Sequence, residues 1–178
     1  MAAVRPGELG VLRKPLSATD DLLANAERYA SAFDKAELPR PPARRLAVLT
    51  CMDARVSPTR LLGLREGDAH VLRNAGGVVS DDVIRSLAIS QHRVGTVEVM
   101  VIQHTDCGMQ TFTDEEFADH LEVIAGERPA WPAHAFADLE ESVRASVERI
   151  RSSPFIPHTD EVRGFVYDVF SGALREVT

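Results

Sequence analysis

Apolar positions along the chain follow two periods, and the switches between them outline the elements. From Thr19, Leu22, Ala26, Tyr29, Ala30 and Phe33 recur at helical spacing, with Asp20 and Asp21 at the positive end of the predicted helix. Pro39-Arg40-Pro41-Pro42 then excludes helix and predicts an extended linker. Ahead of this helix, residues 1–16 show no period and are broken by Pro6-Gly7, Gly10 and Pro15, which reads as a flexible arm. Beyond the linker, strand and helix patterns alternate. Strands are predicted at 45–50, 69–72 and 97–103, the last apolar enough to lie in the centre of a sheet. Ser57-Pro58 marks the start of a short helix running to Leu64. Ser80, followed by Asp81 and Asp82, starts a helix that buries Val83, Ile84, Leu87 and Ala88 and stops near Gly95.

Thr113-Asp114-Glu115-Glu116 has the form of a capping box and predicts a helix to about Gly126. Phe136, Leu139, Val143, Val147 and Ile150 predict one more amphipathic helix. A strand over 162–170 follows, with Ser171-Gly172 as a hairpin turn into 174–177. Repeated strand–helix units place the chain in the α/β class. The expected architecture is a parallel core sheet of about four strands plus a C-terminal strand, flanked by helices, with an extended N-terminal helical arm. Residues 1–42 form the arm and helix, expected to pack on a partner subunit. Residues 43–178 form the main α/β domain.

Composition narrows the class only a little. The 178 residues are 44% hydrophobic and 26% charged, ordinary values for a globular chain. A formal net charge of −7 argues against nucleic acid as a partner, because phosphate contacts need basic surface. No apolar run approaches the length of a membrane span, and residues 1–17 carry no apolar core of a secretory signal, so no membrane partner is expected. The chain has two cysteines; in a reducing cytosol they stay unpaired, and the cytoplasm is the default location.

Both cysteines stand where a predicted strand ends. Cys51 opens Cys51-Met52-Asp53-Ala54-Arg55, and Cys107 closes His104-Thr105-Asp106-Cys107. In a parallel sheet, ligands bind beyond the carboxyl ends of the strands, where both motifs fall. Cys51, His104 and Cys107 are ligand types that Zn²⁺ accepts, and two thiolates with a neutral imidazole leave a fourth position open. Asp53 either fills that position or stands beside it, and Arg55 offers a planar fork that holds a carboxylate off the metal. Three other readings compete. The cysteines can be buried small hydrophobes, Asp53 can close a purely structural zinc site, or the thiols can form a redox pair, although they lack C-x-x-C spacing. Between the motifs, Arg73-Asn74-Ala75-Gly76-Gly77-Val78 joins a strand to a helix. Its glycines either let backbone N–H groups approach a small anion or simply make a tight connection at positive φ.

These motifs together resemble the β-class carbonic anhydrases. The resemblance rests on C-x-D-x-R at Cys51–Arg55, R-N-A-G at Arg73–Gly76 and H-x-x-C-G at His104–Gly108, and it covers nearly all of the chain beyond the arm. The short chain and the Cys-Met-Asp-Ala-Arg wording are similar to the small bacterial members. The resemblance implies one Zn²⁺ per subunit on Cys51, His104 and Cys107, and hydration of CO₂ to bicarbonate and a proton by zinc hydroxide. It gives Asp53 and Arg55 the role of a catalytic dyad, with Asp53 as fourth ligand in a closed form, and Gly76, Gly77 and Val78 are expected to border the substrate pocket. It also implies a homodimer or a dimer of dimers, with the N-terminal helix over the partner. Some members carry a tryptophan three residues before the first zinc cysteine as part of a non-catalytic bicarbonate site. Here Val48 stands there although Arg73 is retained, so inhibition through that site is not expected. Two alternatives remain open: a carbonyl sulfide or carbon disulfide hydrolase on the same scaffold, and a non-catalytic zinc-binding regulatory or interaction protein.

Overall fold

Ser17 starts helix α1 (Ala18–Ser31) with a reciprocal cap: its hydroxyl accepts the Asp20 N–H at 3.2 Å, and the Asp20 carboxylate accepts the Ser17 N–H at 2.9 Å. The structure, a computed structural model, describes residues 17–178, so the predicted flexible arm over 1–16 lies outside the described residues. The chain divides into two units between Leu38 and Pro39. In the first unit no residue of α1 is buried, and Leu22, Leu23, Tyr29 and Phe33 are all exposed.

The second unit is built on one five-stranded sheet in the order β2-β1-β3-β4-β5. Strand β1 (Leu46–Cys51) runs parallel to β2 (Ala69–Asn74) on one side and β3 (Glu98–His104) on the other. Strand β4 (Val162–Tyr167) continues the parallel set, and β5 (Leu174–Val177) closes it with the expected antiparallel edge. The predicted central strand is β3. Two-sided burial explains why β1 and β3 read as nearly unbroken apolar runs.

Alternation along each strand sorts the core into two faces. Ala47, Leu49, Val99, Val101 and Val162 point to one side, where α3 (Asp81–Val94) lays Val83 and Leu87 and α5 (Leu139–Arg151) lays Val147 and Ile150. Val48, Ile102 and Phe165 point to the other, joined by Leu62 of the short α2 (Pro58–Leu62) and by Leu64. Helix α4 (Asp114–Ala125) has the predicted capping box: Thr113 Oγ1 accepts the Glu116 N–H at 3.2 Å and Glu116 Oε2 accepts the Thr113 N–H at 2.8 Å.

Several boundaries differ from the sequence reading for identifiable reasons. Strand β2 continues to Asn74 because Arg73 and Asn74 still pair with Thr50 and Cys51. Strand β4 stops at Tyr167, since Asp168 turns the chain: its carboxylate accepts the Phe170 N–H at 3.0 Å and its carbonyl accepts the Gly172 N–H at 2.8 Å. Helix α2 ends at Leu62, where Gly63 takes a left-handed φ of 64°, and Ser57 makes no side-chain cap bond. Phe136 lies outside α5, which begins after its cap Asp138; the ring packs instead beside Cys51, Cys107 and Met109.

Candidate metal centre

Register brings the chemistry together. Thr50 pairs with Ile102, so β1 and β3 end side by side and release Cys51 and His104 at the same sheet edge. The turn after β3 then returns Cys107 to them. One ligand atom from each of Cys51, His104 and Cys107 lies within 4.8 Å of the others, and all three residues are buried.

The imidazole is set for ligation. His104 Nδ1 lies 2.9 Å from the Thr105 carbonyl oxygen, so that nitrogen carries the proton and donates. Nε2 therefore keeps its lone pair, and among the described residues it has no hydrogen-bond partner although it is fully buried. A buried acceptor without a donor costs free energy, and a metal ion removes that cost. The thiols fit the same purpose. Cys51 is held well below the ordinary thiol range, first by the Cys107 S–H, with further help from His104 and from the backbone N–H groups of Asp53 and Gly76. The same Cys51 contact, with burial, pushes Cys107 up. Burial pulls His104 down, but the Cys51 sulfur and the Thr105 carbonyl outweigh it, and the net shift is upward. The two cysteines form no disulfide.

Asp53 stands beside this cluster, its Oδ2 at 3.8 Å from His104 Nε2. Arg55 grips it bidentately, with Nε donating to Oδ1 at 3.0 Å and Nη2 to Oδ2 at 2.8 Å, while the Arg55 backbone N–H donates to Oδ1 at 2.8 Å. The side-chain bonds from Arg55, then its N–H, hold the carboxyl far below the usual range, so Asp53 is ionised at any physiological pH. The sequence-level expectation that Arg55 holds Asp53 thus corresponds to an observed fork. Asp106 was not singled out from sequence, yet Arg55 Nη1 also donates to its carboxylate at 2.7 Å.

The Arg73–Val78 segment supports the site from below. Arg73 Nε donates to the Cys51 carbonyl at 2.9 Å and Nη2 to the Asp53 carbonyl at 2.7 Å, which fixes the Cys51–Asp53 loop. Asn74 clasps Val78 through both its amide groups, closing the turn. Both glycines take positive φ, 80° at Gly76 and 62° at Gly77. Gly76 and Val78 line a cavity of about 660 Å³ that also reaches Cys51, Asp53 and Cys107. Gly77 does not line it: its place is against the backbones of β1 and β3, where a side chain has no room.

The rest of that cavity is mostly apolar. Phe112, Phe117 and Trp131 form a ladder of ring contacts along its wall, with centroids 5.2 and 6.5 Å apart. Sequence reasoning missed this wall, because its members come from separate loops and α4 and share no period. His134 also lines the cavity.

A mostly parallel α/β sheet here gathers two thiols, an imidazole and a restrained carboxylate beside an apolar cavity, a group that could hold a metal ion. Residues 46–174 match the family model for carbonic anhydrase, and the chain belongs to that family. It is 52% identical over 163 residues to Beta-carbonic anhydrase 1 of Mycobacterium tuberculosis, a match covering 92% of this chain and 99% of that protein. A solved carbonic anhydrase from Streptococcus mutans superposes with a TM-score of 0.85 at 44% identity, covering 92% of this chain and 99% of the other. A carbon disulfide hydrolase of an Acidianus species is 37% identical over 161 residues, covering 76% of this chain and 78% of that protein.

Proposed function

We propose that the chain catalyses the reversible hydration of CO₂ to bicarbonate and a proton, with Zn²⁺ held by Cys51, His104 and Cys107. The observation that carries this reading is the buried His104 Nε2, without a hydrogen-bond partner among the described residues, beside two thiols at the end of the sheet. Zn²⁺ in such a set supplies a Lewis-acidic centre that makes water nucleophilic near neutral pH. Two thiolates donate more charge to the ion than imidazoles do, which favours a higher operating pH.

The remaining work falls to this chain's own residues. Asp53, kept anionic and turned by Arg55, accepts a hydrogen bond from the attacking water and so fixes which lone pair meets the carbon of CO₂. Released from Arg55, the same carboxylate is the natural fourth ligand of a closed form, 3.8 Å from His104 Nε2. Gly76 and Val78, with the ring wall, give CO₂ a mostly apolar approach that leads to Asp53 and the ligand cluster. Arg73 is occupied by two backbone carbonyls and Val48 is buried in the core, which supports the expectation that bicarbonate does not inhibit through that place.

The exposed apolar residues of α1 support a homodimer or dimer of dimers in which this helix packs over the partner. Among the described residues no helix is long and apolar enough to cross a membrane. The cytoplasm is our proposed location. Carbon disulfide or carbonyl sulfide hydrolysis is the second reading, favoured by the named relative and by the apolar cavity. Rates on the three substrates with the same zinc-assayed protein separate the two readings. A non-catalytic zinc module requires four permanent protein ligands, and X-ray absorption unchanged across pH is its signature.

A further inference from the structure

Arg55 has two carboxylate partners, and only one faces the ligand cluster. The Nε–Nη2 edge of its guanidinium holds Asp53. The other edge holds Asp106: Nη1 donates to Asp106 Oδ2 at 2.7 Å and Nη2 to the Asp106 carbonyl oxygen at 2.9 Å. Asp106 sits between His104 and Cys107 with φ of 54°, in the left-handed region that few residues other than glycine, Asn and Asp enter. With both edges engaged, the plane of the guanidinium is fixed from two loops at once.

That second anchor matters because the first is local. Asp53 and Arg55 lie two residues apart on one exposed loop, and the Arg55 side chain is 46% exposed. A pair anchored only to itself can swing as a unit, since long exposed side chains keep rotamer freedom. Asp53 Oδ2 needs only a short movement from its 3.8 Å separation to enter the ligand cluster. Asp106 ties Arg55 to the turn between His104 and Cys107, so Arg55 cannot swing inward with Asp53 without breaking its bonds to that turn.

We propose that Asp106 is a positioning residue that keeps the site open: it fixes the plane of Arg55 and thereby holds Asp53 out of the metal's fourth position. The proposal rests on the reading that Cys51, His104 and Cys107 hold the metal, and it adds a residue that no motif assigns. Removing the Asp106 carboxylate shifts the Asp53 equilibrium toward the closed form without touching a ligand. An exogenous anion that needs the fourth position then binds in proportion to the open fraction.

The test uses the full chain loaded with cobalt(II) and titrated with azide, followed by the visible spectrum. Asp106→Gly suits the purpose because glycine accepts the same backbone conformation. The expected result is one cobalt per chain, unchanged thiolate charge-transfer bands and an azide affinity about tenfold weaker than that of the unsubstituted protein. Asp106→Asn, which keeps an amide oxygen, falls in between. Adding Asp53→Ala to Asp106→Gly restores the affinity, because no carboxylate is left to close the site; a residue that only fastened the loops gives no such rescue. Azide affinity in Asp106→Gly within about twofold of the unsubstituted protein overturns the proposal. So does an equal loss in the double variant, or loss of cobalt from Asp106→Gly. Absence of thiolate-to-cobalt bands in the unsubstituted protein overturns the ligand assignment itself.

Discussion

Gly77 lies directly under Cys51: a β-carbon at Gly77 would sit 2.8 Å from the Cys51 backbone nitrogen and 2.9 Å from the Thr50 carbonyl carbon. Backbone cannot yield as a side-chain tip can, and φ of 62° adds strain for any residue with a β-carbon. Gly77→Ala is therefore expected to cost about 3 kcal/mol and to lower the zinc stoichiometry, because the strand end that carries Cys51 must move. Urea unfolding with a parallel metal assay checks both. Gly63→Ala is the control, with positive φ but nothing within 4 Å, and it should keep its zinc.

The Asp53–Arg55 fork separates catalysis from metal retention. Asp53→Ala should keep a full complement of zinc and lose roughly 10–100-fold in CO₂ hydration. Cys107→Ala should lose the metal, and with it the activity. Full activity in zinc-loaded Asp53→Ala would show that the carboxylate has no part in orienting the nucleophile.

Arg163 and Glu176 join β4 to β5 through two hydrogen bonds, at 2.7 and 2.5 Å, and Arg175 reaches Glu140 of α5 at 2.5 Å. The Arg163 side chain holds Glu176, and the Arg175 side chain holds Glu140, below the ordinary glutamate value of 4.5. A carboxyl depressed in the folded state binds its proton more readily once unfolded. Its contribution is complete above the unfolded value and disappears as pH falls through the folded one. Melting temperature should thus begin to fall below about pH 4.5, and Glu176→Gln should make that acid limb shallower. Thermal melts from about pH 7 to pH 3 measure it.

Arg128 gathers Glu115, Asp119 and Glu122 of α4, with contacts from 2.6 to 3.1 Å. All four side chains are exposed, so the pairs are screened by solvent. Arg128→Ala should leave zinc content and CO₂ hydration unchanged, and a loss of either would show that the loop after α4 supports the site.

Where the sequence announced itself, local physics was enough. Ser80 and Gly95 bracket α3 because a hydroxyl caps one end and a left-handed glycine the other. Strand β3 reads plainly because two-sided burial leaves an apolar run. The three ligand candidates were visible because strand ends in a parallel sheet converge. Phe136 misled because its spacing to Leu139 and Val143 continues a helical stripe, while tertiary packing draws the ring to the cysteine cluster instead. Asp106 was silent for a different reason: an aspartate in a loop looks like solvated charge until Arg55, 51 residues earlier in the chain, is seen to face it. The ring wall of Phe112, Phe117 and Trp131 depends on loop paths that no periodicity encodes.

The most direct test of the central claim is stopped-flow CO₂ hydration on zinc-assayed protein at about pH 7 and about pH 8.5. The account predicts fast hydration that scales with zinc content, strongest at the higher pH. No hydration at either pH with one zinc bound per chain would contradict it and turn attention to the sulfur-containing substrates.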